Sequence, residues 1–176
     1  VEHPKRTSVL VVDDEEDVRS LFKELLEEWG YLCHTAPDGV AALEKLACHP
    51  IDLALVDIIM PGMGGLRFSQ EAKERFPKLG IIFITALEDL TLAVRQLKTG
   101  ALDYLVKPIS PKRLRAAVED ALQELMAMNT ARVQQELLIQ KAQEAEAKER
   151  ELKALNRLFQ QYLTEAGEEK PRPAQE

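Results

Sequence analysis

Five short apolar runs alternate with amphipathic segments between Ser8 and about residue 125, and this alternation leaves few folds open. It is the pattern of a parallel sheet covered by helices. The runs are Ser8 to Val12, Leu32 to Ala36, Leu53 to Val56, Ile81 to Ile84 and Leu102 to Val106. Three of them are almost unbroken in Val, Ile, Leu and Phe, as strands buried on both faces require. The first helical pattern places Val18, Leu21, Phe22, Leu25, Leu26 and Trp29 at three- and four-residue spacing, and Gly30 ends it. Ala42, Leu43 and Leu46 carry a second, and Leu66 to Phe76 a third ahead of Pro77. Leu90, Ala93, Val94 and Leu97 carry a fourth ahead of Gly100. The fifth opens at Ser110-Pro111, a capping residue followed by proline at the first helical position, and turns Leu114, Ala117, Val118, Ala121, Leu122 and Leu125 inward. The expected fold class is α/β, a doubly wound (βα)5 parallel sheet.

Beyond Leu125 the composition turns to Ala, Glu, Gln, Lys and Arg, with no glycine or proline between Pro111 and Gly167. A helix spanning that interval is about 80 Å long at 1.5 Å per residue, and a lone helix of that length needs a partner. Positions 131, 138, 145, 152, 159 and 166 read Ala, Leu, Ala, Leu, Phe, Ala, an apolar seam with a seven-residue repeat. The matching second seam, Gln134, Lys141, Lys148, Leu155 and Tyr162, is polar at its first three members. Coiled-coil pairing into a homodimer is the expectation, with a partly frayed single helix or a folded-back hairpin as alternatives. Glu144 with Lys148, Glu146 with Arg150 and Glu149 with Lys153 are acid-then-base pairs four apart, which add ~0.3 kcal/mol each and mark a solvated face. Gly167 to Glu176 is charged, holds Pro171 and Pro173, and is expected to be disordered.

A net charge of −7 argues against gripping phosphate backbones by bulk charge, so no direct nucleic-acid contact is expected. No stretch reaches the roughly 18 apolar residues of a membrane span. Two cysteines are too few for a disulfide scaffold, and nothing before Val9 reads as a cleavable signal, so a reducing cytoplasm is the expected location. Each cysteine precedes a histidine, Cys33-His34 and Cys48-His49, but neighbouring side chains on a strand point to opposite faces and do not chelate one ion easily.

Ligands of a parallel α/β sheet sit beyond the carboxyl ends of its strands. Asp13-Asp14 closes the first run, Asp57 the third, Thr85 the fourth and Lys107 the fifth. Carboxylates gathered together resist ionising unless a cation sits among them. An oxygen-only donor set suits a hard ion, for which Mg²⁺ is the abundant choice. Lys107 adds a fixed positive charge for a carboxylate or a phosphoryl oxygen. Each residue has an ordinary alternative: Asp13, Asp14 and Thr85 as helix caps, Asp57 as the start of a turn at Pro61-Gly62, Lys107 as surface. Those alternatives must all hold at once, and none accounts for the clustering at one sheet edge.

The strings Val11-Val12-Asp13-Asp14-Glu15, Ala36-Pro37-Asp38-Gly39, Leu55-Val56-Asp57-Ile58-Ile59-Met60-Pro61-Gly62-Met63-Gly64-Gly65, Ile84-Thr85-Ala86 and Gly100 to Pro108 resemble the response-regulator receiver domains of two-component systems. The resemblance covers roughly residues 7 to 125. It implies a flavodoxin-like sheet of order 2-1-3-4-5. With the composition beyond Leu125, it divides the chain into an N-terminal tail (1–7), a receiver (8–125), a helical extension (126–166) and a tail (167–176). It also implies that Asp57 is the phosphoacceptor, supplied by a sensor histidine kinase, a phosphotransfer protein or a small acyl phosphate. Asp14, Asp57 and the backbone carbonyl of Ile59 would hold Mg²⁺, with Asp13 acting through a water. Lys107 would pair with a phosphoryl oxygen, Thr85 would bond the new group, and small Ala86 would leave room for it. Tyr104 would report the change by swinging inward, the bland alternative being a half-buried strand aromatic. Lys107-Pro108 would be a cis peptide bond.

Gly64 departs from the family pattern, which usually has Asp there, and its loss should cost some loop rigidity. Ile59 and Leu87 stand at the two positions that tune phosphoryl lifetime in the family, and both are apolar, which implies slow self-dephosphorylation and no other catalysis. The expected output is interaction with a downstream protein target. The alternative is that the chain is the N-terminal receiver and linker of a larger regulator with an ATPase, cyclase or kinase output domain. A phosphatase with an aspartyl nucleophile fits poorly, since Asp13-Asp14-Glu15 lacks the Asp-x-Asp pattern after the first strand.

Overall fold

The computed structural model describes residues 6–86 and 100–168, with side chains to 164. Five parallel strands form one sheet: β1 (Ser8–Val12), β2 (Leu32–Ala36), β3 (Leu53–Asp57), β4 (Gly80–Thr85) and β5 (Asp103–Val106), in the order β2-β1-β3-β4-β5. Helices α1 (Glu16–Glu28), α2 (Gly39–Cys48), α3 (Gly65–Arg75) and α4 (Pro111–Glu168) accompany it. The fourth helical pattern, Leu90 to Leu97, lies outside the described residues, as does Leu87.

Side chains alternate across the sheet with a period of two. On one face Leu10, Val12, Ala54, Val56, Ile81 and Phe83 pack with Ala42 and Leu46 of α2 and Phe68 and Ala72 of α3. On the other, Val9, Val11, Leu53, Leu55, Ile82 and Ile84 meet Phe22 and Leu26 of α1 and Leu114, Val118 and Leu122 of α4. Each Val, Leu, Ile or Phe among them contributes about 1.5–3 kcal/mol relative to exposure. This double coverage explains why the strands read as continuous apolar runs.

The boundaries differ slightly from those expected. Asp57 pairs with Ile84, so β3 runs one residue past the apolar run. β4 gains a residue at each end, since Gly80 pairs with Leu53 and Thr85 with Val106. β5 starts at Asp103, because the ladder begins with Ile82 opposite Asp103. Gly30, with φ +90°, follows α1 in the left-handed conformation that glycine adopts without steric cost. Asp38 caps α2 by accepting from the Ala41 N–H at 2.9 Å, and Ser110 accepts from the Arg113 N–H at 3.3 Å where α4 begins. Gly64 stands before α3 and makes no side-chain cap.

Two compact units divide the chain, Val1–Ala127 and Met128–Glu176. The second consists, among its described residues, of helix alone, and every described side chain from 128 to 164 is exposed. The helix extends through Gly167 to Glu168, two residues beyond the expected 166, which falls within ordinary end fraying. Among the described residues no helix is long and apolar enough to cross a membrane.

Candidate functional site

Register brings the polar strand ends together. Val12 pairs with Val56, so Asp13 and Asp14 leave β1 beside Asp57 at the end of β3. Asp57 pairs with Ile84 and Thr85 with Val106, which sets Thr85 and Lys107 along the same carboxyl edge. The Lys107 N–H donates to the Thr85 carbonyl at 2.8 Å, holding the lysine against the strand end.

Lys107 organises the acids. Its Nζ donates to Asp57 Oδ2 at 2.6 Å and to Asp13 Oδ2 at 2.9 Å, and approaches Glu15 Oε1 at 3.4 Å. The other oxygen of Asp57 accepts from the Ile59 N–H at 2.9 Å, and that of Asp13 from the Glu15 N–H at 2.9 Å. Asp13 is fully buried and Asp57 nearly so at 8% exposure, while Asp14 and the Ile59 side chain reach solvent. Burial pushes the Asp13 carboxyl above its ordinary pKa, with the Lys107 hydrogen bond offsetting part of the effect. Burial works against the Lys107 ammonium, but its hydrogen bonds to Asp57 and Asp13, and their charges, outweigh it and hold its pKa well above the usual lysine value.

Asp13, Asp14 and Asp57 each offer a carboxylate oxygen, and these lie within 4.8 Å of one another. Three hard oxygen donors with no imidazole or thiolate among them fit a hard dication such as Mg²⁺. Thr85 is buried, and its hydroxyl donates to the Ala86 carbonyl at 3.0 Å, while Ala86 itself is exposed. Tyr104 is half-buried with its ring 5.5 Å from that of Phe83. The Tyr104 hydroxyl is buried without a hydrogen-bond partner among the described residues. The Lys107-Pro108 peptide bond is cis.

Several contributors were not visible in the sequence. Arg19 Nη1 donates to the carbonyls of Asp13 at 2.7 Å and Asp14 at 2.9 Å, tying the β1–α1 loop to the helix that follows. A basic residue one turn into α1 was the only available signal. Gly65 packs so closely that a Cβ there would overlap the Asp57 carbonyl oxygen. The histidines of the two Cys-His doublets meet, their rings stacked at 4.4 Å, a contact between doublets that their sequence positions do not indicate.

The response regulator receiver domain family matches residues 9–119, well over half of the chain. The chain belongs to the response-regulator receiver family. It is therefore the receiver domain of a two-component response regulator. A probable transcriptional regulator, ycf27 of Cyanidium caldarium, is 35% identical to it over 128 residues, 73% of this chain and 51% of that protein. The DNA-binding transcriptional regulator NtrC of Escherichia coli (strain K12) is 41% identical over 118 residues, 67% of this chain and 25% of that one. A receiver domain protein from Clostridium thermocellum superposes with a TM-score of 0.65 at 31% identity, covering 69% of this chain and 98% of the other. The chain thus spans about half or less of the length of these two transcriptional regulators, and almost the whole of the solved receiver structure.

Proposed function

We propose that this receiver is a phosphorylation switch in which Asp57 takes a phosphoryl group from a sensor histidine kinase, a phosphotransfer protein or a small acyl phosphate. The observation that carries the reading is the Lys107 ammonium 2.6 Å from Asp57 Oδ2 at the carboxyl edge of the sheet. In the transfer, an Asp57 oxygen bonds to phosphorus as the donor's P–N or P–O bond breaks, its electron pair leaving with the imidazole or carboxylate. Such an in-line displacement needs positioning and charge neutralisation more than acid or base work. The Ile59 N–H fixes the carboxylate, and Lys107 stays to pair with a phosphoryl oxygen. Asp14, Asp57 and the Ile59 backbone carbonyl would hold Mg²⁺, with Asp13 acting through a water. The ion supplies charge neutralisation for the phosphoryl oxygens.

Thr85 then leaves the Ala86 carbonyl for the phosphoryl group, for which the small Ala86 side chain leaves room. Tyr104, whose hydroxyl lacks a partner among the described residues, follows it inward. The exposed, apolar Ile59 side chain positions no water for attack, so the phosphoryl group is long-lived. Loss of label within seconds from purified phosphoprotein overturns that last point.

The decisive test is labelling from acetyl phosphate with magnesium. Asp57→Asn abolishes it, and chelating the metal abolishes it in the unaltered chain. Labelling of the Asn variant at the unaltered rate refutes the assignment.

The output we propose is protein interaction: a cytoplasmic homodimer through the 126–166 extension, read by a downstream protein partner. A second reading, an N-terminal receiver and linker of a larger regulator, is favoured by the greater length of the transcriptional regulators it resembles. The reading frame of the full gene separates the two.

A further inference from the structure

The exposed face of α4 beyond Met128 carries its own instructions for pairing. Leu138 (67% exposed), Leu152 (66%), Leu155 (63%) and Phe159 (58%) stand unpartnered on it. They occupy the two seams of the seven-residue repeat. Between the Leu138 and Leu152 layers the second seam presents Lys141 and Lys148. Arg132–Glu136, Glu146–Arg150 and Glu149–Lys153 form ion pairs within the helix, whereas among the described residues Lys141 and Lys148 form none. The Glu144–Lys148 pair that the four-residue spacing allows is not formed among the described residues, so both ammonium groups stand on an apolar seam without an ion pair.

The direction of a second helix decides what those lysines meet. In a parallel pair each seam position faces itself, so Lys141 faces the partner's Lys141 and Lys148 the partner's Lys148, the least favourable charge arrangement open to the seam. In an antiparallel pair, first-seam residues pack against second-seam residues. Setting Leu138 against the partner's Leu155 then also sets Ala131 against the partner's Tyr162, Ala145 against the partner's Lys148, and Leu152 against the partner's Lys141. The residues beside the lysine seam are Leu137, Glu144, Glu151 and Leu158. In this register Lys148 lies next to the partner's Glu144, Lys141 next to the partner's Glu151, and Leu137 near the partner's Leu158. Both lysines gain a carboxylate, and the aliphatic stem of Lys141 covers a leucine.

We infer that the extension pairs with a second copy of itself as an antiparallel coiled coil in which Leu138 packs on the partner's Leu155 and Lys141 on the partner's Glu151. This rests on the homodimer reading above and fixes its direction and register. The two Met128 ends then lie at opposite ends of the paired helices, about 60 Å apart at 1.5 Å per residue.

Disulfide trapping tests it in the whole chain, with Cys33 and Cys48 replaced by alanine and acetyl-phosphate labelling used to show that the receiver remains folded. Chains carrying Leu138→Cys alone or Leu155→Cys alone remain uncross-linked under mild oxidation, while their equimolar mixture gives a covalent heterodimer. Self-cross-linking of the single variants overturns the direction but leaves the dimer standing. No cross-link in any sample overturns the register, and a monomer mass by light scattering removes the dimer reading as well. A charge swap gives a second, independent readout. Lys141→Glu weakens association on the order of tenfold, and adding Glu151→Lys in the same chain restores it. Ten residues apart on one helix, these two groups cannot meet within a chain, so failure of the rescue counts against the antiparallel register.

Discussion

Leu114 and Leu155 are the same residue in the same helix, yet one is 1% exposed and the other 63%. In its first turns α4 lays Leu114, Ala117, Val118 and Ala121 on the sheet, and beyond Met128 none of its described side chains is covered. A leucine in the receiver is stabilised within its own chain. A leucine in the extension is exposed among the described residues. The contrast separates the residues that build the receiver from those that its fold does not use.

Leucine-to-alanine changes are the strongest way to break this contrast. Leu114→Ala should cost the receiver about 2–5 kcal/mol in urea unfolding, because the cavity lies in a closed core. Leu155→Ala should move the same transition by no more than ~0.5 kcal/mol while lowering the mass seen by light scattering. Equal shifts in both unfolding curves would show that the two units do not differ in the way described.

A smaller effect asks how much of the receiver's stability is local. Asp38→Ala removes the capping bond to the Ala41 N–H and should cost about 1 kcal/mol, with no change in association. A loss near zero in the same urea experiment would mean that packing of Ala42, Leu43 and Leu46 holds α2 without its cap.

The smallest effect contrasts buried and exposed thiols. Burial, reinforced by the charge of Glu27, pushes the Cys33 thiol up to about 12, whereas Cys48 is exposed. Iodoacetamide at pH 8 should therefore modify Cys48 and spare Cys33, of which roughly one part in ten thousand is thiolate. The native chain keeps the Cys33 proton where the unfolded chain has lost it. The associated stability is thus complete below pH 9.0 and is lost as the pH rises toward about 12. Cys33→Ala should flatten that part of the urea midpoint's pH dependence, and an unchanged slope would assign it to other groups.

Much of the receiver was legible in its sequence, since a doubly covered parallel sheet imposes continuous apolar runs and its functional edge falls where those runs meet charge. Asp13, Asp14, Asp57, Thr85 and Lys107 were found on that logic, and the register brings them to one edge. What was not legible depends on distances between segments far apart in the chain or on the fold of a loop. The reach of Lys107 toward Glu15, the grip of Arg19 on two carbonyls and the stacking of His34 on His49 leave no periodic trace. The extension was legible as a helix, because nothing between Pro111 and Gly167 breaks one, whereas the absence of an ion pair at Lys141 and Lys148 was not.

Gly65 has a genetic corollary. Every missense change at its codon adds a carbon where the backbone of Asp57 already sits, whatever the chemistry of the new side chain. A selection for cells deaf to the signal should recover alleles at this position alongside those at the acids themselves. Such lesions would look unrelated to phosphate in a sequence comparison, since the residue they replace bears no charge and no side chain at all.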